Sequence, residues 1–181
     1  MFLRTERLFL RPLFPEDWRG IYEGIAHEDV VRNLARAPWP YGEEDAKAFC
    51  AMANADGRTR FVITVPERRG AVAGMIGFEQ LDGPGDELGY WIAPAWQGRG
   101  FATEAVRGVV AMARALGKPR VEAGHFLDNP QSARVLRKAG FVPTGAVETM
   151  TSAGRGGAEV LCRRFVLPLS DEESEPRPAA A

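Results

Sequence analysis

The stretch that decides the fold reads Tyr90-Trp91-Ile92-Ala93-Pro94-Ala95-Trp96-Gln97-Gly98-Arg99-Gly100-Phe101-Ala102-Thr103-Glu104. Its apolar start is typical of a strand, and the apolar spacing that follows predicts a helix from Ala102 to Leu116. Glycines at 98 and 100 let the backbone approach a ligand closely, and the helix start offers unpaired N–H groups and the positive end of the helix dipole. The stretch therefore predicts a pyrophosphate site.

Two better-known phosphate sites can be compared with this stretch. A P-loop is excluded, because no Lys-Ser/Thr follows the glycine. A dinucleotide-binding fold fits Gly98-x-Gly100 and would use Glu122 for the ribose, but Thr103 stands at its third glycine position and the strands upstream are predicted to be antiparallel. Taken alone, Gly-x-Gly also fits an ordinary glycine-rich loop before a core helix.

The chain on either side of this stretch predicts an α+β protein. Three strand candidates separated by short turns must pair as antiparallel neighbours. Asn129 is placed to cap a helix that has Pro130 in its first turn and stops at Gly140. The predicted strands are 8–13, 60–66, 71–81, 86–93, 120–126 and a closing pair whose last strand covers 159–167. One predicted helix starts at Pro15, and the others cover 28–34, 43–54, 102–116 and 129–139.

These elements predict one domain over residues 1–169. Residues 170–181 contain four acids, two prolines and no large apolar side chain, which predicts a disordered tail. The formal net charge of -1 favours neither a nucleic-acid nor a membrane partner. Charges near the N-terminus argue against a signal peptide, so we expect a cytoplasmic protein, either a monomer or a homodimer.

Four motifs together resemble the GNAT superfamily of N-acetyltransferases. Gln97-x-x-Gly100-x-Ala102 is similar to its acetyl-CoA motif, R/Q-x-x-G-x-G/A. Three further motifs look like the ribosomal-protein N-terminal acetyltransferase (RimJ/RimL-like) branch, and the resemblance covers roughly residues 4–168. They are Leu8-x-Leu10-Arg11-Pro12-Leu13, Glu87-Leu88-Gly89-Tyr90-Trp91-Ile92 and Asn129-x-x-Ser132-x-Arg134-Val135-Leu136-x-Lys138-x-Gly140-Phe141.

The resemblance implies a GNAT fold, a mixed and mostly antiparallel sheet flanked by helices. It also implies direct acetyl transfer from acetyl-CoA to a primary amine, on a small molecule or a protein N-terminus, in a ternary complex with no metal. The donor would be held by the backbone of the Tyr90 strand, by the loop and helix start, and by the Asn129 helix. The implied cofactor-binding residues are Tyr90, Trp91, Ile92, Gln97, Gly98, Arg99, Gly100, Phe101, Ala102, Thr103, Asn129 and Ser132.

The candidate catalytic residues are Ser132, on the basis of the resemblance, and Glu87, which starts the strand that leads to the donor site. Ser132 would donate to the departing thiolate, although Asn129 would cap that helix in any case, and no tyrosine falls on the helix as an alternative acid. Glu87 would be the base, with Glu122, His125 or no protein base as alternatives. A plain ion pair with a neighbouring arginine explains Glu122 equally well.

The acceptor would contact Glu87, Glu122, His125 and a lip formed by Trp39 and Tyr41. The last two residues fit equally a hydrophobic staple for the helix at Glu43. The cluster Arg134, Arg137 and Lys138 fits either the donor phosphates or a solvated helix face.

Two other functions stay open: a catalytically inactive CoA-binding regulator of the same fold, and a nucleotide-dependent oxidoreductase. Cys50 and Cys162 are expected to be buried free thiols away from the site, which leaves a covalent acetyl-enzyme without a nucleophile.

Overall fold

A computed structural model describes residues 1–52, 59–80 and 85–170, with the backbone alone for Gln80. Within these ranges, eight strands form one sheet. The predicted turn at 82–84, the last residues of the predicted third helix and the predicted tail beyond Ser170 lie outside the described residues. The strands are β1 (Leu3–Arg4), β2 (Phe9–Pro12), β3 (Thr59–Val65), β4 (Ala71–Gln80), β5 (Gly85–Ile92), β6 (Arg120–Phe126), β7 (Val142–Ser152) and β8 (Ala158–Pro168).

The sheet has the order β1-β2-β3-β4-β5-β6-β8-β7 and contains one parallel pair, β5 with β6. That pair is in register from Gly85↔Arg120 to Leu88↔Ala123 and then stops, although both strands continue. Residues 89–92 of β5 and 124–126 of β6 therefore diverge. This mixed, mostly antiparallel sheet confirms the predicted fold class.

Five α-helices cover the sheet in the described part of the chain. Asn129 caps the last of them as predicted, because its Oδ1 accepts a hydrogen bond from the Ser132 N–H at 3.2 Å. Gly140 ends that segment with φ +97°, a conformation that favours glycine. The helices are α1 (Trp18–Ile25), α2 (Glu28–Val31), α3 (Glu43–Ala51), α4 (Phe101–Ala115) and α5 (Pro130–Lys138).

The two faces of the sheet carry separate hydrophobic cores. The first core packs beneath α4 and α5 and includes Val106, Leu136 and Phe165. The second lies beneath α1 and α3 and includes Ile21 and Ala46. Strand β5 contributes to both by alternation: Leu88, Tyr90 and Ile92 join the first core, and Trp91 joins the second.

Two elements differ from the prediction. Helix α2 ends at Val31 instead of Leu34, because the N–H groups of Asn33 and Leu34 donate to the carbonyl oxygens three residues back and not four. The chain that follows is bound by the distant β7–β8 turn, where Ser152 and Ala153 donate to the carbonyl oxygens of Leu34 and Ala35. The short β1 was not predicted. Its two residues pair with Phe9 and Leu10, a contact that no local pattern announces.

Candidate active site

The loop between β5 and α4 has the geometry that its glycines predict. Gly98 and Gly100 have φ of +73° and +81°, so a side chain at either position would strain the backbone. Gly100 is the residue before the first turn of α4, and Gln97 Nε2 donates to the Ile92 carbonyl oxygen at 2.9 Å. The loop is thus tied to β5, and the free N–H groups of the helix start follow it directly.

The start of α4 is also held by the N-terminal segment, which the sequence did not predict. The Arg7 guanidinium donates to Glu104 at 2.8 Å and to the Arg99 carbonyl oxygen at 3.0 Å, and Thr5 donates to Glu104 at 2.6 Å. Burial acts to raise the pKa of Glu104, but the hydrogen bonds from Thr5 and Arg7 outweigh it and hold that pKa below its ordinary value. These partners lie nearly a hundred positions apart, so no local signal could have found them.

One cavity of about 1620 Å³ brings together most of the predicted site residues. Three of them lie outside its lining. The Arg99 guanidinium stacks over Trp96 at 5.1 Å from the ring centroid, Trp39 is 40% exposed, and Glu122 is bound by arginines. The predicted residues that line the cavity are Tyr41, Glu87, Tyr90, Trp91, Ile92, Gln97, Gly98, Gly100, Phe101, Ala102, Thr103, His125, Asn129 and Ser132.

A pair of hydroxyls lies where α5 meets β5. The hydroxyl oxygens of Tyr90 and Ser132 are 2.9 Å apart, and either can donate. Burial raises the pKa of Tyr90 to about 12, so its phenol stays protonated at neutral pH. The sequence prediction used only the backbone of Tyr90. Its hydroxyl was missed because the partner lies 42 positions away.

The carboxylate of Glu87 is held by a half-buried arginine. Arg164 on β8 donates to Glu87 at 2.5 Å, and its side chain is 12% exposed. Arg164 also lies 3.6 Å from Glu122 and 3.8 Å from Glu148. Burial opposes the charge on Arg164, but its pKa is raised overall by the hydrogen bond to Glu87 and by the surrounding carboxylates. Sequence reasoning missed Arg164, which reaches Glu87 only through strand pairing.

The other two candidates for the base lie in different surroundings. Glu122 accepts from Arg120 at 3.0 Å, which confirms the ion-pair interpretation. His125 is buried and packs against Phe165 of the first core, with ring centroids 5.5 Å apart. Its Nδ1 lies 2.8 Å from the Phe126 carbonyl oxygen and can donate to it, and its Nε2 has no hydrogen-bond partner among the described residues.

Behind the part of the cavity wall that includes Arg32, Leu34 and Asp128 lies what we call the clasp, residues 152–155 at the turn between β7 and β8. Ser152 Oγ donates to the Leu34 carbonyl oxygen at 3.0 Å, and Arg155 Nε donates to the Arg32 carbonyl oxygen at 2.8 Å. Both Arg155 amino groups bind Asp128, at 2.8 and 2.9 Å. The hydrogen bond from Arg155 lowers the pKa of Asp128.

Tyr41 reaches the cavity from the loop before α3. It is 7% exposed and packs in the second core with Ala46, as a hydrophobic staple would. Tyr41 therefore serves the staple and lines the cavity as well, while Trp39 is not part of that lining.

One prediction about the cysteines was wrong. Cys50 and Cys162 are buried and free, as expected, but Cys162 lines the cavity instead of lying elsewhere. It pairs with Phe126 across β6 and β8, and a Cβ added at the nearby Gly124 would meet its sulfur at 2.7 Å. Burial raises the pKa of the Cys162 thiol, which keeps it protonated and a weak nucleophile.

Comparison with known proteins settles the family. A family model described as "Acetyltransferase (GNAT) domain" matches residues 7–142. The chain is a GNAT acetyltransferase. It is 31% identical over 150 residues to the uncharacterized N-acetyltransferase YoaA of Bacillus subtilis, covering 80% of this chain and 85% of YoaA.

Solved GNAT structures share its fold. A GNAT-family acetyltransferase from Bacillus anthracis has a TM-score of 0.82 at 22% identity, covering 93% of this chain and 99% of that one. The microcin C7 self-immunity acetyltransferase MccE, solved with acetyl-CoA and AMP, has a TM-score of 0.79 at 17% identity, covering 91% and 93%. Among the described helices of this GNAT acetyltransferase, none is long and apolar enough to cross a membrane.

Proposed function

We propose that this GNAT acetyltransferase transfers acetyl from acetyl-CoA to a primary amine by direct attack in a ternary complex. One observation carries the proposal. A glycine loop and a helix start lie beside a gap between two parallel strands, so that a phosphate site adjoins a slot with free backbone groups. A donor with a pyrophosphate at one end and an amide-containing arm at the other matches that layout.

The donor half of the site would use the predicted residues as follows. The pyrophosphate would accept from the backbone of residues 98–103, where the helix dipole favours anions. The arm would pair with the free edge of residues 89–92. Arg134 and Lys138 also line the cavity, and their charge suits a polyanionic donor. The acetyl-CoA found with MccE supports this assignment.

Ser132 would act on the leaving group. Its backbone N–H is fixed by Asn129, and its hydroxyl faces Tyr90 at the end of the gap. A hydroxyl there can donate a hydrogen bond to the sulfur as negative charge develops on it. Direct attack is favoured over an acetyl-enzyme, because the cysteine that lines the cavity, Cys162, is held as a neutral thiol.

Glu87 would receive the amine. It lines the cavity on β5, next to the strand edge where the arm would end. Its contact with Arg164 keeps the carboxylate in place, so it can orient the amine by a hydrogen bond and take its proton directly or through one water. His125 packs against the first core, on the side of the sheet away from Arg164, and is the weaker candidate for this role.

The acceptor is a primary amine on a small molecule or a protein N-terminus. Proteins that share this fold include a Vibrio cholerae spermidine N-acetyltransferase and RimL, a ribosomal L7/L12 alpha-N-protein acetyltransferase, with TM-scores of 0.74 and 0.75. Our sequence motifs favour the RimJ/RimL-like branch. Two buried free thiols fit a cytoplasmic protein.

An acetyl-CoA consumption screen over small amines and N-terminal peptides tests this function. We expect CoA release that depends on one class of amine. Isothermal titration that finds CoA binding, with no turnover on any amine, would instead support the inactive regulator. Preferential binding of NAD(P)H over acetyl-CoA would support the oxidoreductase.

A further inference from the structure

The Tyr90–Ser132 pair contains two hydroxyl protons, although the hydrogen bond between the two side chains uses only one of them. Tyr90 comes from β5 and Ser132 from the first turn of α5, and both residues are half-buried. Their hydroxyl oxygens are 2.9 Å apart, and the Tyr90 oxygen also lies 3.4 Å from the Ser132 carbonyl oxygen. Each hydroxyl has one proton and can accept as well.

Two arrangements of these protons satisfy the geometry. In the first, Ser132 donates to Tyr90, and Tyr90 makes the longer contact to the Ser132 carbonyl oxygen. In the second, Tyr90 donates to Ser132 Oγ, and the Ser132 proton is free to point into the cavity. A negative charge in the cavity favours the second, because hydrogen bonds to an ionised acceptor are about twice as strong as neutral ones.

We propose that Tyr90 is a positioning residue for the leaving group: by donating to Ser132 Oγ, it directs the Ser132 proton to the sulfur of CoA as the thiolate forms. This inference rests on the proposed function. The phenol suits the task, because burial keeps it protonated at the pH at which a CoA thiol ionises.

The chemical step balances without a proton leaving Tyr90. The amine nitrogen forms a bond to the thioester carbon, the carbon–sulfur bond breaks, and its electron pair goes to sulfur. The proton lost by the nitrogen balances the proton that the thiolate finally takes up. Ser132 stabilises the thiolate between these events, and Tyr90 fixes the direction of its hydroxyl.

Binding of CoA and of desulfo-CoA across a pH series isolates this interaction without any amine. From about pH 7 to about pH 10, across the ordinary thiol pKa of about 8.5, CoA should gain affinity relative to desulfo-CoA if the bound thiolate is stabilised. Tyr90→Phe should reduce that gain by about 3- to 10-fold. Ser132→Ala should reduce it further, and the double variant should match Ser132→Ala.

Turnover gives the second readout. Tyr90→Phe should lower kcat about tenfold with little change in the KM for acetyl-CoA, and Ser132→Ala should lower it by at most about a hundredfold. In the Ser132→Ala background, Tyr90→Phe should lower kcat no further. In the Ser132→Thr background, which keeps the hydroxyl, Tyr90→Phe should still lower kcat. Tyr22→Phe, a half-buried phenol on α1 that does not line the cavity, is the matched control.

The outcomes separate the two proposals. Independent, multiplicative losses from the two variants, or a fall in melting temperature with unchanged kcat and an unchanged CoA gain, would assign Tyr90 a purely structural role. Wild-type protein that binds no CoA would overturn the proposed function, and the role of Tyr90 with it. If wild type turns over and Tyr90→Phe has the same kcat and the same CoA gain as wild type, this inference alone is overturned.

Discussion

The donor half and the acceptor half of the cavity are built in different ways. The donor half comes from two short spans, the loop and helix start at 97–103 and the first turn of α5. The acceptor half joins segments that are far apart in the chain: Arg155 binds Asp128 and Arg32, and Arg164 binds Glu87. The phosphate-binding segments of the donor half are formed by residues adjacent in the chain, although distant contacts such as Arg7 with Glu104 hold them in place, whereas the acceptor half is assembled entirely by folding.

This difference explains why one half was easier to predict. A phosphate site needs a backbone that approaches the ligand closely and a helix that starts beside it. Glycines indicate the first and a helical period of apolar residues indicates the second, and both can be recognised in adjacent residues. An acceptor wall needs only side chains of suitable shape and charge, which any strand or loop can supply. Mutations can test this difference, because a change in the acceptor half should leave acetyl-CoA binding unchanged.

The largest effect is expected at Gly100. Gly100→Glu puts a carboxylate where the donor pyrophosphate would lie and a side chain at φ +81°. Like-charge repulsion and strain of about 1–3 kcal/mol together should weaken acetyl-CoA binding by a thousandfold or more, as measured by isothermal titration.

Gly100→Ala is the matched control, because it adds the strain without the charge. It should retain measurable binding. Wild-type affinity in Gly100→Glu would show that this loop does not hold the donor, and the contrast between the two halves would fail.

An intermediate effect is expected at Glu87, where the two halves meet. Glu87→Gln keeps the shape and removes the charge. If Glu87 is the base, kcat should fall by about 10- to 100-fold near neutral pH, and the loss should shrink as pH rises, because more of the amine is then already neutral. A pH–rate series measures this.

A different result would redefine that residue. If Glu87 only binds a cationic acceptor, the KM for the amine should rise while kcat stays close to wild type. Donor affinity should be unchanged in either case, so a loss of acetyl-CoA binding in Glu87→Gln would contradict the separation of the halves.

The smallest effect is expected at the clasp. Arg155→Ala removes the contacts with Asp128 and the Arg32 carbonyl oxygen, so the KM for the amine should rise about threefold while acetyl-CoA binding stays unchanged. The variant should also melt at a lower temperature than wild type near neutral pH, and this difference in melting temperature should shrink in acid. A carboxylate whose folded pKa is lowered stabilises the protein above its ordinary pKa of about 3.9 and loses this contribution as pH falls through the lowered value.

Arg68→Ala, an exposed arginine in the turn between β3 and β4, controls for removing an arginine from a turn. It should leave the KM for the amine, the affinity for acetyl-CoA and the pH dependence of the melting temperature unchanged. A clasp variant that weakened the donor instead would show that the halves are coupled.

The sequence predicted the fold to within a few residues at most element ends, because apolar period and caps are local. Asn129 is the clearest case, since its cap, its proline and its terminating glycine all lie within twelve positions. The partners of the site residues could not be predicted in the same way. The Tyr90 hydroxyl, Arg164 and the clasp depend on strand register and on turns that meet across the sheet, and the position of Cys162 followed from the same register.

The divergence of β5 and β6 leaves the middle of the sheet unfinished. Beyond Leu88 and Ala123, each strand keeps one bonded edge and offers the other to the gap. Under the proposed function, the arm of the donor serves as a temporary strand that completes the ladder. Each catalytic cycle would then tighten and loosen the centre of the molecule. Those amide protons of residues 89–92 that face the gap, and not β4, should exchange with solvent more slowly whenever the donor is in place.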